Sequence, residues 1–180
     1  INKIGNDYKT HSFLKIKSGG IPVYAPIDAV FQSGTYYLED NRGQYVLTFD
    51  VRNSCDKIEF RFDHLSNVVD KLKPYLPSVP QTDTRSSQTD AVVEFKAGEL
   101  VGYTIGTDLG KTWDFGVYNY NELNPFNNKE DKDYGSPIKE HGVCPFKYFA
   151  DKSKYKQLFR NSGGSVYNNE LDLCKELEWR

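Results

Sequence analysis

A chain of 180 residues is long enough for one domain with its own core and needs no staples to hold it. Its 23 basic and 25 acidic residues leave a net charge of -2, which gives no electrostatic footprint for nucleic acid or an anionic membrane. With 13 Tyr and 11 Phe the core must be largely aromatic, and that favours strands over helices.

No apolar run approaches the roughly 20 residues that span a bilayer, and the start, Ile1-Asn2-Lys3-Ile4-Gly5, lacks the apolar stretch of a signal peptide. The chain begins at Ile1 and contains no Met, which predicts a segment trimmed from a longer precursor, its leader already removed.

In chain order, Gly19-Gly20 opens an extended run through Val23, Tyr24 and Val30, in which Pro22 and Pro26 exclude a helix. Tyr36-Tyr37-Leu38 and residues 45–51 read as the arms of a hairpin turned at Asp40-Asn41-Arg42-Gly43. Residues 57–64 alternate with period two, so Ile58, Phe60 and Phe62 share a face that His64 closes. Residues 66–77 carry Val68, Val69, Leu72 and Leu76 at helical spacing before Pro74 and Pro77, predicting a short helix or turn. Residues 78–90 are Pro/Ser/Thr/Gln/Asp-rich and read as a long exposed loop with the character of a flap. Residues 91–95, 96–99 and 100–103 then give strand, turn and strand, and an aromatic strand follows at 113–118. From 119 to 142 the chain is polar and turn-rich, and a helix is expected at 151–160. The organisation is an all-β domain over 1–118 with a C-terminal extension over 119–180 packed on it, one domain overall.

A Cys144–Cys174 bridge would close a loop of about 30 residues around that extension and contribute on the order of 3 kcal/mol in the chain-entropy model. Cys55 would then be left over; three buried thiols are the alternative.

The most informative stretch is Thr112-Trp113-Asp114-Phe115-Gly116-Val117-Tyr118, which sets one carboxylate in an aromatic strand. Burying it is costly unless something pairs with it, so His11, His64 or Lys15 should lie close to Asp114. Each candidate has a plainer reading as well. His11 reads as a hydrogen-bonded loop residue, His64 as a cap on the turn that follows it, and His141 as a surface loop residue.

Four segments, Pro22-Val23-Tyr24-Ala25-Pro26-Ile27-Asp28-Ala29-Val30, Asp63-His64-Leu65-Ser66, Lys96-Ala97-Gly98-Glu99-Leu100-Val101-Gly102-Tyr103 and Trp113-Asp114-Phe115-Gly116-Val117, resemble the M23 or lysostaphin-like zinc peptidases in order and spacing. The resemblance covers about residues 11–118 and implies an antiparallel β-sandwich of the duplicated-hybrid-motif type with a groove over one sheet. It places His11 at the first zinc ligand, but the Asp ligand four residues on is Lys15, an ammonium that repels a metal. The family's His-x-His strand becomes Thr112-Trp113-Asp114, so Asp114 stands at the second zinc ligand of that strand and Thr112 at a catalytic histidine. His64 matches the catalytic histidine that precedes Leu-Ser in the family.

A catalytic zinc needs three protein ligands and an open position, whereas the pattern supplies His11 and Asp114, with His64 as a third only if the metal shifts toward it. A Lys15–Asp114 ion pair in place of the metal is the inert form of the site. The resemblance therefore implies a non-catalytic M23-like domain without cofactor, extracellular or in the cell envelope, binding a glycan, peptide or protein partner through a groove lined by Tyr24, Tyr103, Trp113 and Tyr118. The alternative is a divergent metal hydrolase, peptidase or amidase, with zinc at a rearranged His11/His64/Asp114 site and His64 as general base. A third reading is a structural subunit of an extracellular assembly.

Overall fold

The pattern of alternating aromatic and polar residues yields twelve strands in the computed structural model, which describes residues 2–4, 7–9, 11–17, 19–124 and 137–148. They are β1 (Asn2–Ile4), β2 (Asp7–Lys9), β3 (Ser12–Lys15), β4 (Ile21–Tyr24), β5 (Ala29–Glu39), β6 (Arg42–Val51), β7 (Ile58–Leu65), β8 (Asn67–Val68), β9 (Ser87–Phe95), β10 (Leu100–Thr104), β11 (Thr112–Asn119) and β12 (Gly142–Val143). One short helix, α1 (Pro137–His141), and 3-10 turns at Lys73–Tyr75 and Pro145–Tyr148 complete the described elements. The protein is all-β, built of antiparallel sheets, and divides into two compact units, Phe13–Phe115 and Ile1–Ser12 with Gly116–Arg180.

In the unit Phe13–Phe115 the organising feature is the hairpin of β5 and β6, paired from Ala29↔Val51 to Glu39↔Arg42. Its two-residue turn, Asp40-Asn41, takes φ of 49° and 62°, the left-handed pair of a type I′ turn whose twist matches the flanking strands. β7 pairs with the other side of β6, and the first half of β11 lies beyond it, so the strand order is β11-β7-β6-β5-β9. Period-two alternation turns Phe31, Phe49, Phe60, Phe62 and Phe95 to one face, where all are buried. Phe49 is the hub: its ring stacks on Phe60 at 4.9 Å and meets Phe31, Phe62 and Phe95 edge-on at 5.7, 6.0 and 5.4 Å.

A second, three-stranded sheet runs β4-β10-β8 in the same unit. Val23, Val101 and Val68 are buried from its three strands, while Tyr24 and Tyr103 are exposed. Gly102 is required there, because a Cβ would stand 2.3 Å from the backbone oxygen of Asn67 and force β8 away from β10.

Pairing between distant strands refines three expectations in this unit. Of the short helix or turn expected at 66–77, the turn is present as the 3-10 segment Lys73–Tyr75, and ahead of it β8 pairs with β10, as Gly102↔Val68 and Tyr103↔Asn67. The β-branched Val68 gains a cross-strand partner there, and tertiary pairing overrides the helical spacing. The expected strand, turn and strand are present as β9, the turn at 96–99 and β10; β9 pairs with β5 and β10 with β4 and β8, so the turn carries the chain from one sheet to the other. Of the loop expected at 78–90, residues 82–86 are exposed and outside any strand, but 87–90 belong to β9, and Gln81 is stitched to β5, donating its N–H to Tyr36 O and accepting from Leu38 N–H.

In the other unit β1 and β2 pair as Asn2↔Lys9 to Ile4↔Asp7, and the second half of β11 pairs with β12 as Val117↔Val143 and Tyr118↔Gly142. The 119–124 turn is fixed by side chains: buried Asn119 donates to Glu122 Oε1 and Tyr148 Oη, and Asn124 donates to Lys139 O. His141 ends α1 and is half-buried rather than a loose surface residue, because its Nδ1 donates to Glu122 O at 2.7 Å and its ring packs 5.1 Å from that of Tyr120. The helix expected at 151–160 lies outside the described residues, as does Cys174 of the expected Cys144–Cys174 pair; Cys144 is buried, and Cys55 is an exposed free thiol.

Candidate functional site

His64 occupies a β-bulge. Tyr45 pairs with Leu65 and Leu47 with Phe62, so Asp63 and His64 of β7 together oppose the single residue Val46 of β6. His64 takes φ of 62°, a left-handed conformation that a non-glycine residue adopts only where its surroundings hold it. Asp63 is part of that hold, since its Oδ1 accepts the His64 N–H at 2.8 Å and the Tyr37 hydroxyl at 2.6 Å.

The bulge delivers the imidazole into a polar cluster. Nδ1 lies 2.7 Å from Gln44 Oε1, 2.7 Å from Glu39 Oε2 and 3.1 Å from Tyr37 Oη. Tyr37 spends its proton on Asp63, and with Gln44 Oε1 turned toward the ring Nδ1 is the donor of that contact. On the other side Nε2 faces Asp114 Oδ2 at 3.4 Å. Both ring nitrogens therefore point at oxygen acceptors, the arrangement of an imidazolium. The His64 side chain is 13% exposed and that of Asp114 6%, so the pair is largely shielded from water, while Glu39 at 38% is its solvent edge.

The electrostatics agree with the geometry. Burial alone would depress the His64 pKa, but the hydrogen bond to Asp114 and the fields of Asp63, Asp114 and Glu39 outweigh it and push the pKa up to about 9. Burial raises the Glu39 carboxyl, an effect that His64 partly offsets, and burial beside Asp63 raises the Tyr37 phenol. At neutral pH the site is a fixed cation among carboxylates. In that form it orders the ring and has no lone pair with which to take a substrate proton.

The other expected residues sit as follows. Asp114 is buried on β11 and paired with His64, whereas Lys15, at the end of β3, is exposed. His11 is half-buried just ahead of β3, where a Cβ on Gly116 would come within 3.2 Å of it. Thr112 opens β11 with its hydroxyl 3.5 Å from that of Thr107, and the half-buried Trp113 ring packs 5.6 Å from Phe62. Tyr24 and Tyr103 are about half exposed on the small sheet, but Tyr118 is 1% exposed and is a core residue that cannot line an open groove. Among the described residues no group of three or more His, Cys, Asp or Glu is arranged to hold a metal ion, and no helix is long and apolar enough to cross a membrane.

Glu39, Gln44, Tyr37 and Asp63 escape a motif-based reading, but two signals point to them. The hairpin turn at 40–41 fixes Tyr37 opposite Gln44. Phe62, Leu65 and most of His64 are shielded, a break in strict alternation that marks a bulge where the polar residue turns inward. No family model matches the chain, and neither a curated protein nor a solved structure matches it.

Proposed function

We propose that the chain is a non-catalytic binding module on an M23-like, lysostaphin-like β-sandwich, in which the position of the catalytic histidine has become an internal ion pair. The observation that carries this reading is the engagement of both His64 nitrogens, Nε2 with Asp114 and Nδ1 with Glu39 and Gln44. A peptidase of the M23 type needs that histidine free beside a metal-bound water, and a ring held between carboxylates as a cation does not serve that step. The exposed Tyr24 and Tyr103, with Pro22 opposite Tyr103, supply the binding surface for a glycan, peptide or protein in an extracellular or envelope setting.

Elemental analysis together with thermal melting in added Zn²⁺ tests the reading. The module is expected to purify without stoichiometric zinc and to melt at an unchanged temperature, since only an ion that binds the folded state raises it. The double variant Tyr24→Ala/Tyr103→Ala is expected to keep its melting temperature and lose retention on immobilised peptidoglycan or peptide. Near-stoichiometric zinc that raises the melting temperature and is lost in Asp114→Ala would establish instead the divergent hydrolase with a rearranged His11/His64/Asp114 site.

A further inference from the structure

We infer that the Arg85–Ser86 bond is a processing site for a serine protease of basic specificity, and that the cut chain stays assembled. Backbone freedom around that bond carries the inference. After Gln81, stitched to Tyr36 and Leu38, the chain has no sheet partner until Ser87↔Gly34 and Gln88↔Ser33. A register break follows, in which residues 89–92 lie opposite Gln32 alone, before firm pairing resumes at Val93↔Phe31. No residue from 82 to 92 is buried, and two cross-strand registers with the local bonds of Arg85 N–H to Asp83 Oδ1 and Ala91 N–H to Thr89 Oγ1 tie that stretch down. Segments held so lightly open at little cost and adapt to a protease cleft.

The side chain suits the cut as well. Arg85 is 91% exposed, and its ion pair to Asp83 at 3.2 Å is an exposed one, too weak to withhold the guanidinium. Of the other basic residues of the unit, Lys17 and Lys57 are also exposed in irregular backbone, but Lys17 follows buried Ile16, whose N–H is bonded to Lys111 O, and Lys57 directly precedes β7. Lys15 lies in β3 and Lys71 is bonded to Glu94 O. Arg42 and Arg61 lie within strands, Lys73 precedes Pro74, Arg52 and Lys96 sit in tight turns, and Lys111 has φ of 50° with its N–H bonded to Thr107 O. Hydrolysis breaks the C–N bond between Arg85 and Ser86. Water supplies a hydroxyl to the carbonyl carbon, leaving a carboxylate on Arg85, and a proton to the new amine of Ser86. Nucleophile and base come from the protease, and nothing is oxidised.

Beyond the cut, β9 remains paired from Ala29↔Phe95 to Phe31↔Val93 and anchored by buried Val93 and Phe95, so the two pieces hold together. The Gln81 stitch then lies near a free end. Because it flanks Tyr37, whose hydroxyl contacts Asp63 and His64, cleavage loosens the strand edge behind the ionic cluster.

The test is dilute trypsin on the intact 180-residue protein, followed by mass spectrometry and size exclusion. Within Phe13–Phe115 the first cut is expected after Arg85, about tenfold or more ahead of any other, with both pieces co-eluting at the position of the uncut protein. Arg85→Gln, a fully exposed change, is expected to keep the melting temperature and slow that first cut at least about tenfold. A first cut elsewhere in Phe13–Phe115, an unchanged rate in Arg85→Gln, or separation of the pieces would overturn the proposal.

Discussion

Strands β5, β6 and β7 build two interiors of opposite character. At one end Phe31, Phe49 and Phe60 pack ring on ring, and at the other Tyr37, Gln44, Asp63 and His64 form a hydrogen-bonded ionic cluster. Backbone register divides them. Regular alternation through Phe62 keeps the aromatic face intact, and the bulge at Asp63 and His64 then turns a titratable ring into the polar cluster. The aromatic end draws on the removal of apolar area from water, which tolerates imperfect geometry, whereas the ionic end is favourable only if every charge finds its partner.

Truncation should show that difference most strongly. Phe49→Ala removes the hub of the aromatic cluster and is expected to cost about 3–5 kcal/mol in urea unfolding at any pH near neutrality. A loss well under that would mean that the surrounding rings collapse into the space. Asp114→Ala strips the buried partner from His64 and is expected to cost about 3 kcal/mol. An almost neutral effect would show that His64 is not charged in the folded protein.

The two ends also separate by pH. The His64 pKa of about 9 stands above its ordinary 6.5, so folding favours the protonated form. The stabilisation is complete below about pH 6.5 and is lost as the pH rises through about 9. Melting temperatures taken across that window should fall toward alkaline pH in the parent and in Phe49→Ala, and should fall much less in Asp114→Ala. Equal slopes in all three would place the titration elsewhere. The smallest effect is expected of Glu39→Gln: the carboxylate is 38% exposed and partly screened, so stability should change by about 1 kcal/mol or less. The same substitution should lower the His64 pKa, as read by NMR titration of the ring; an unmoved pKa would remove Glu39 from the cluster.

Much of the fold is legible in local pattern. Alternation at 57–62, the Asp40-Asn41 turn and Pro26 mark β7, the β5–β6 hairpin and the break between β4 and β5. Where the spacing at 66–77 suggests a short helix or turn, the turn forms at 73–75, and pairing of β8 with β10 supplies a long-range partner that no local window contains. At the site, a lone carboxylate in an apolar strand announces that Asp114 needs a partner. Which partner depends on how β7 and β11 are brought together: Lys15 ends β3 facing solvent, and His64 is turned toward Asp114 by the bulge.

By itself the sequence determined the class of structure, because period-two alternation of aromatic residues can be buried only by pairing strands into sheets. It also determined that Asp114 could not stand alone. Tertiary structure decided the rest: the charge state of His64, its company of Glu39, Gln44 and Asp63, and the burial of Tyr118 away from any surface. Those outcomes depend on distances of about 3 Å between strands far apart in the chain, and a one-residue shift in register would abolish them.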